Sequence, residues 1–273
     1  MTGVLLEDRG IVEVAGLEAG ELLQRLVTND VLGLVRGEAR YAALLTPQGK
    51  IVVDFLVAAA GEASFLIDCP RHLAADVARK LTLYRLRARV TITDRSAELR
   101  VAAFWPEAPS SIDGLVVRDP RHPSLGYRAV ASHAALADLV RPADREAYTS
   151  HRIDAGVPEG GTDFAYGDAF PHDANLDLLN GIDFGKGCYV GQEVVSRVQH
   201  RGTARKRIRP VIFEGAPPPA GTEVVVGEIA IGTMGSAVAG RGLAMVRVDR
   251  AAEAAALGAP ASAAGVHLSI ALG

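Results

Sequence analysis

The sequence predicts an α+β protein in which two α+β units precede a small all-β domain. Short β-branched runs alternate with amphipathic helical stretches up to about residue 203, and only short strand-like pieces follow the Pro/Gly-rich turn at 217–221. The predicted limits are 1–95 and 96–203 for the two α+β units and 204–273 for a C-terminal β-barrel. The chain has 273 residues, 49% of them hydrophobic, which is enough for several packed units.

The first unit is predicted to begin with a strand and a helix. Residues 10–15 alternate weakly and are β-branched, and residues 18–27 place their leucines on one helical face. Two apolar runs, 40–45 and 51–59, flank a Pro/Gly turn at 46–50, which predicts a hairpin. The remaining predicted elements are a strand at 64–68, a helix beginning at Pro70 and a strand at 89–93.

The elements of the second unit and of the C-terminal domain are predicted from the same kinds of pattern. The second unit has predicted strands at 100–105, 114–118 and 127–130, and predicted helices at 133–140 and 144–155. Residues 156–175 lack apolar periodicity, and loops of that length in compact proteins are usually functional or mobile. The C-terminal domain has predicted strands at 223–226, 228–231, 242–248 and 266–272.

The composition excludes several classes of protein. A formal charge of -3 argues against a chain that binds nucleic acid through its overall charge. Two cysteines cannot form the disulfide framework of a small secreted protein. No apolar run approaches the roughly 20 residues that span a bilayer, and the N-terminus does not look like a signal peptide. We therefore expect a cytoplasmic protein with no membrane partner.

The two cysteines lie in different surroundings. Cys188 belongs to the run Lys-Gly-Cys-Tyr-Val-Gly-Gln-Glu at 186–193, just before a helix predicted to begin near Val190. A helix N-terminus and the positive charge of Lys186 both favour a thiolate at Cys188, which makes it a candidate catalytic thiol. The alternative is a small buried hydrophobe. Cys69 ends an apolar strand and is expected to be packed and inert.

Charged residues supply two further candidates. Asp54 lies inside an apolar strand, so it must be hydrogen-bonded, pair with a cation or face a cavity. Six basic residues and no acidic residue lie between Val194 and Phe213, which indicates a solvated face or a site for an anion, either a ligand carboxylate or RNA phosphate. These residues are Arg197, Arg201, Arg205, Lys206, Arg207 and Arg209. No histidine or cysteine pair has metal-ligand spacing, so no metal site is predicted.

The run at 186–193 closely resembles the signature of the YgfZ-type folate-binding proteins, whose mitochondrial relatives serve iron–sulfur cluster assembly. The stretches 26–30, 37–45 and 49–57 resemble the folate-binding half of the glycine-cleavage aminomethyltransferases. This resemblance implies a GcvT-like fold, with two ferredoxin-like α+β units and a C-terminal barrel around a central tetrahydrofolate pocket. It also implies a role in maintaining or delivering iron–sulfur clusters, including those of radical enzymes that thiolate tRNA.

The resemblance suggests roles for particular residues. Cys188 is expected to act as a nucleophile, a redox thiol or a transient cluster contact, with Lys186 tuning it. The expected tetrahydrofolate-binding residues are Asp54, Tyr189, Gln192, Glu193, Arg197 and Arg201. The expected partners are folate and iron–sulfur proteins or their assembly machinery, with tRNA as an indirect partner.

Two rival functions stay open, a folate-dependent aminomethyl or methyl transferase and a tRNA-binding modification factor. The transferase is disfavoured by two departures from the aminomethyltransferase pattern. Only one carboxylate, Asp54, stands where those enzymes usually have an acidic pair. Residues 176–181 read Leu-Asp-Leu-Leu-Asn-Gly and lack the glutamate that holds the pterin in those enzymes.

Overall fold

A computed structural model describes residues 1–140, 145–202 and 204–272. The N-terminal elements in chain order are β1 (Thr2–Leu5), β2 (Arg9–Ala15), α1 (Ala19–Gln24), β3 (Ala39–Leu45), β4 (Ile51–Gly61), β5 (Ser64–Pro70), α2 (Ala74–Arg85) and β6 (Thr91–Asp94). Strands β2 to β6 form an antiparallel five-stranded sheet in the order β3-β4-β5-β2-β6. The predicted hairpin is confirmed, because Leu45 pairs with Ile51 across the turn.

The second sheet has four strands in the order β1-β7-β9-β8. Its other elements are β7 (Leu99–Trp105), β8 (Gly114–Arg118), β9 (Tyr127–Ser132), α3 (His133–Ala137) and α4 (Arg145–Asp154), and α5 (Gln192–Arg201) follows the long loop. Residue 144, the predicted start of α4, lies outside the described residues. Strand β1 was not predicted, because its four residues form a strand only by pairing with β7 about 100 positions away.

The C-terminal residues form a closed six-stranded barrel in the order β10-β13-β12-β11-β14-β15. Its elements are β10 (Lys206–Ile212), β11 (Glu223–Val226), β12 (Ile229–Val238), β13 (Arg241–Arg247), α6 (Val248–Ala256), β14 (Ala261–Ala263) and β15 (Val266–Ile270). The predicted β-barrel is confirmed. Strand β10 was not predicted, since basic residues interrupt it and its two buried residues, Ile208 and Val211, lie on opposite faces and form no alternating pattern.

Strand β4 is buried on both faces, so its neighbours define the interior of the molecule. Phe55 and Val57 pack in the core that α1 and α2 cover. Leu56 points to the other face and packs with Leu176 of the long loop and Leu243 of the barrel. The loop after α4 therefore fills the space between the first sheet and the barrel. In the described parts of the chain, no helix has the length and apolarity needed to cross a membrane.

Candidate functional site

The segment that carries Cys188 ends at a glycine with a left-handed backbone. Gly191, with a φ of 82°, caps α5, so the helix begins at Gln192 and not near Val190 as predicted. Apolar periodicity could not show this limit, because Val190 continues the apolar spacing of α5. Cys188 therefore lies three residues before the N-cap. The expected effect of the helix macrodipole on its sulfur is not supported, since that effect is confined to the first turn.

The two thiols differ in accessibility as the sequence predicts. Cys188 is exposed, and its neighbours Gly187 and Gly185 carry no side chains that could cover it. Cys69 is fully buried, and burial raises the pKa of its thiol to about 12. Cys188 is thus the accessible thiol of the two.

Lys186 is an anchor for this segment. Its Nζ donates hydrogen bonds to the carbonyl oxygens of Val27, at 2.6 Å, and Asn29, at 2.7 Å. Only 8% of the residue is exposed, and burial lowers the pKa of its ammonium to about 8, against the opposing effects of Asp30 and Asp183. The geometry thus shows a structural role for Lys186, and tuning of the thiol by its charge stays a prediction.

Hydrogen bonds join residues 26–30, which resemble the aminomethyltransferases, to residues 176–181, which depart from their pattern. Thr28 Oγ1 donates to the carbonyl oxygen of Gly181 at 2.6 Å. Asn29 Nδ2 donates to the carbonyl oxygens of Asn180, at 2.6 Å, and Tyr41, at 2.8 Å. Together with the hydrogen bonds of Lys186, these bonds attach the residues just before Cys188 to the turn that follows α1.

The tip of the β3–β4 hairpin supports the same segment from another side. A Cβ atom on Gly191 would lie 2.6 Å from the carbonyl oxygen of Thr46. A Cβ atom on Gly49, whose φ is 80°, would lie 2.8 Å from Cβ of Val194. Both positions therefore require glycine, and they allow the hairpin tip to pack directly on the start of α5.

Asp54 is buried on β4 between two phenol groups. Tyr41 donates a hydrogen bond to its Oδ2 at 2.9 Å, and Tyr166 donates a short one to its Oδ1. Burial, reinforced by the nearby carboxylate, raises the pKa of both tyrosines well above the usual value. Both oxygens of Asp54 thus have protein partners. Of the alternatives that the sequence left open for Asp54, the structure shows a hydrogen-bonded carboxylate.

A buried ionic network beside Asp54 was not predicted. Asp68 pairs with Arg9 at 2.6 Å and with Arg128 at 3.2 Å, and Asp119 pairs with Arg121 at 2.7 Å and with Arg128 at 3.2 Å. Burial alone would raise the pKa of Asp119, but the two arginines hold it well below the usual value. The network joins the two sheets. One feature of the sequence could have indicated this network, because Arg128 is a charged residue within the apolar strand β9.

The six residues expected to bind folate do not meet in one pocket. Asp54 is internal, and Tyr189 packs in the core, where burial raises its pKa to about 12. Gln192 is half-buried at the start of α5. Glu193, Arg197 and Arg201 are exposed on that helix.

A cleft of about 320 Å³ lies elsewhere, between β3 and the turn after β8. Its lining includes Arg40, Arg118 and Asn180, and it includes none of the six predicted folate-binding residues. The cleft follows the line where the two sheets meet, which no local sequence pattern could reveal.

The basic cluster is smaller than the sequence indicates. Arg207 makes a two-pronged ion pair with Asp177 of the long loop, at 2.5 and 2.8 Å. Arg209 is half-buried, and burial followed by repulsion from Arg207 lowers its pKa. The acidic partner was missed because it lies 30 residues away in the chain. Among the described residues there is no group of three or more His, Cys, Asp or Glu side chains that could hold a metal ion.

Comparisons with known proteins agree with this architecture. Residues 7–138 match the GCVT N-terminal domain, and residues 205–272 match the CAF17 C-terminal beta-barrel domain. The structure also resembles the glycine cleavage system aminomethyltransferase T from Bartonella henselae, with a TM-score of 0.80 over 98% of this chain and 84% of that chain. The identity is 18%, so this likeness shows the fold alone. The fold and the two matched domains together show that this is a GcvT-like protein with a C-terminal barrel.

Relatives of known name narrow this class. The mitochondrial iron-sulfur cluster assembly factor IBA57 homolog of Mycosarcoma maydis is 38% identical over 232 residues, which cover 78% of this chain and 58% of that protein. The mitochondrial iron-sulfur cluster assembly factor IBA57 of Mus musculus is 33% identical over 242 residues, which cover 79% of this chain and 67% of that protein. The chain belongs to the IBA57-like family of GcvT-like proteins. It spans little more than half the length of the fungal relative.

The prediction of a cytoplasmic location is contradicted by these comparisons. The relatives from Mycosarcoma maydis, Neurospora crassa, Mus musculus and Homo sapiens are mitochondrial proteins. The prediction rested on cysteine usage, which does not distinguish one reducing compartment from another, and on the lack of a secretory signal peptide, which argues only against export.

Proposed function

We propose that this chain is an accessory factor in iron–sulfur cluster assembly, with Cys188 as its working thiol. The observation that carries the proposal is the exposure of Cys188 on a segment anchored by Lys186, in a chain related to assembly factors. Support of iron–sulfur enzymes that modify tRNA belongs to the same proposal, as an indirect effect on a client. Direct tRNA binding has less support, because Arg207 is already neutralised by Asp177.

In this proposal the cluster is cargo and Cys188 is a transient ligand. The thiol releases its proton, and its sulfur replaces one thiolate of a donor protein on an iron atom. The displaced donor thiolate takes up a proton, so no electron is transferred. The bonds of Lys186 and Thr28 hold the surrounding backbone in place while the ligand exchanges. A preorganised segment loses less conformational freedom when the donor docks.

The test uses a host that lacks its own relative of this chain. Expression of the chain is expected to restore the activity of iron–sulfur enzymes, and the Cys188→Ser variant is expected to lose about nine-tenths of that effect, a tenfold change. The Cys69→Ala variant is the matched control, since it removes the buried thiol. Equal restoration by the chain and the Cys188→Ser variant, at equal protein levels, would refute the role of Cys188.

We further propose that a reduced folate binds in the cleft between the two sheets. The supporting observation is that Arg40 and Arg118 line it together with Asn180. The two carboxylate residues that also line it are engaged elsewhere: Glu38 accepts a hydrogen bond from the backbone N–H of Val35, and Asp119 is paired with two arginines. Guanidinium groups suit the carboxylate tail of a folate. The volume of about 320 Å³ is at the low end for ligand sites, so the cleft fits one end of the molecule.

This folate proposal changes the residues expected from the YgfZ-type resemblance. Asp54 does not fit the role of a pterin anchor, because both its oxygens already accept phenol protons. When bound, tetrahydrofolate would supply a carrier for one-carbon groups. Arg40 and Arg118 would hold its carboxylates, and Asn180 would border it.

Calorimetric titration with tetrahydrofolate under anaerobic conditions tests the folate site. Binding is expected, with an affinity about tenfold lower in the Arg118→Ala variant and unchanged in the Arg201→Ala variant. A loss of affinity in the Arg201→Ala variant but not in the Arg118→Ala variant would place the folate site at α5 instead. Absence of heat in the unaltered chain would exclude folate and leave the proposed role of Cys188 intact.

A further inference from the structure

Helix α2 carries a stripe of side chains that its own fold does not cover. The buried face of the helix consists of Ala74, Val77 and Leu81. Leu83 is 68% exposed and Tyr84 is 40% exposed, although both are large apolar side chains. Exposed apolar residues that cluster in this way mark interaction sites more often than isolated ones do.

A groove continues the stripe toward the start of the helix. It has a volume of about 240 Å³ and runs between α2 and the strands β3 and β4. Four residues of the helix line it, and Val53 lines it on the sheet side. The four are Asp76, Val77, Arg79 and Lys80. Lys80 precedes Leu83 by three residues and Tyr84 by four, so all three lie along one side of the helix. Groove and exposed residues therefore form one surface.

The end of α2 shows a strained residue on that surface. Leu86 caps the helix with a φ of 51° and a ψ of -107°, a conformation that favours glycine, and 85% of the residue is exposed. A bulky residue in such a conformation is rare, and residues of this kind concentrate at functional sites. Its exposed side chain provides no packing that would account for a leucine at this position.

The charge of the surface is mostly positive, because Asp76, the acidic residue that lines the groove, is paired with Arg79. Residues 77–90 include five basic residues and no acidic one, in a chain whose net charge is -3. Arg79 pairs with Asp76, and Arg89 pairs with Glu18. In the ranges that the structure describes, no ion pair involves Lys80 or Arg87. The surface therefore combines uncovered leucines, a tyrosine and free positive charge.

We propose that this surface docks an acidic amphipathic segment of a partner protein, here called the α2 surface and defined by Lys80, Leu83, Tyr84, Leu86 and Arg87. Leucines of the partner would enter the groove and contact Leu83 and Leu86, and its carboxylates would face Lys80 and Arg87. The apolar groove and the exposed leucines can bury apolar side chains, which favours a protein segment over RNA. Tyrosine and arginine are also enriched in the energetic centres of protein interfaces. The inference goes beyond the proposed function, because α2 shares no residue with the Cys188 segment.

The experiment uses a synthetic helical peptide of about 18 residues, five turns, with leucines on one face and glutamates on the other. Fluorescence anisotropy is expected to show binding that weakens with added salt. The Leu86→Gly variant is expected to bind about tenfold more weakly, while its melting temperature stays the same or rises because glycine relieves the strain. The Leu257→Ala variant is the matched control, since Leu257 is another leucine that is 77% exposed.

Three results would overturn the inference. One is peptide affinity that does not change in the Leu86→Gly and Arg87→Glu variants. Another is equal binding of a peptide in which lysines replace the glutamates. The third is that the Leu86→Gly and Arg87→Glu variants weaken binding of another partner and not binding of the peptide. The other partners tested are a short RNA, phosphatidylglycerol vesicles and a second copy of the chain. None of these results would alter the role of Cys188, which is tested separately.

Discussion

Cys188 and Lys186 lie two residues apart and have opposite surroundings. The sulfur is exposed, while the ammonium group is buried and bonded to two backbone carbonyl oxygens. A buried ammonium requires such partners, since an unpaired charge in the interior is costly. The exposed sulfur therefore lies on a backbone that its buried neighbour holds in place.

Thiol titration should distinguish the two cysteines. In the folded chain at pH 8, one thiol per chain is expected to react rapidly with an aromatic disulfide reagent, and the second only after denaturation. The reason is that Cys69 is fully buried and its pKa is raised to about 12. The Cys188→Ser variant is expected to show no rapid phase. Rapid reaction of two thiols, or of none, in the unaltered chain would contradict the assignment.

The pH dependence of stability should report on Lys186. Between about pH 8 and pH 10.4 the unfolded lysine keeps its proton while the folded one has lost it, so the unfolded state binds more protons and stability rises with pH. The unfolding free energy of the chain relative to its Lys186→Met variant is thus expected to increase by about 1 to 3 kcal/mol across this window. Urea unfolding at several pH values measures it, and a flat or falling difference would be inconsistent with the lowered pKa.

The hairpin tip and the start of α5 form the next level of organisation. Gly49 and Gly191 permit the two elements to touch, because a side chain at either position would overlap the other element. The segment of Cys188 runs directly into this contact. Its position therefore depends on packing between elements that are more than 100 residues apart.

Substitution of glycine should show which parts of this contact are essential. The Gly191→Ala variant is expected to lose about 2 to 4 kcal/mol of unfolding free energy, since alanine would be strained at a φ of 82° and would overlap Thr46. The Gly187→Ala variant is the matched control, because nothing lies within 4 Å of an added Cβ there. Its change is expected to stay within about 0.5 kcal/mol. Similar losses in the two variants would disprove the close contact.

Local patterns predicted most elements, and contacts between distant residues explain what they missed. The β3–β4 hairpin was predictable because its turn residues and apolar runs are adjacent in sequence. The start of α5 was not, because a left-handed glycine does not interrupt apolar spacing. The bond from Lys186 to Val27 spans 159 residues, so no local pattern contains it. Cys188 was identifiable because its polar and glycine neighbours are unusual for a packed cysteine.

At the scale of the whole molecule, a buried ion pair connects the barrel to the rest of the chain. Arg152 of α4 donates to Asp163 at 2.7 Å and to Ser236 of β12. Asp163 also accepts a hydrogen bond from the backbone N–H of Ser236 at 2.6 Å. The long loop that contains Asp163 thus contacts both regions. The predicted domain limits stay predictions, but this contact shows why the loop is ordered.

Removal of Asp163 should weaken this connection. The Asp163→Ala variant is expected to lose about 3 to 5 kcal/mol, the usual cost of breaking a buried ion pair. Arg152 keeps only its longer pair with Glu159, at 3.2 Å, and the backbone N–H of Ser236 loses its acceptor. The Asp76→Ala variant is the matched control, because its pair with Arg79 is exposed and worth about 0 to 1 kcal/mol. Urea unfolding and limited proteolysis provide the measurements. Equal stability of the two variants would show that the pair does not connect the barrel.

The rate of cluster transfer tests the central claim most directly. A cluster-loaded donor protein and an apo acceptor enzyme are mixed anaerobically with the chain, and recovery of acceptor activity is followed over time. The chain and its Cys69→Ala variant are expected to accelerate transfer equally, while the Cys188→Ser variant is expected to be about tenfold slower. Transfer at the same rate with Cys188→Ser as with the unaltered chain would contradict a role for this sulfur in handling the cluster.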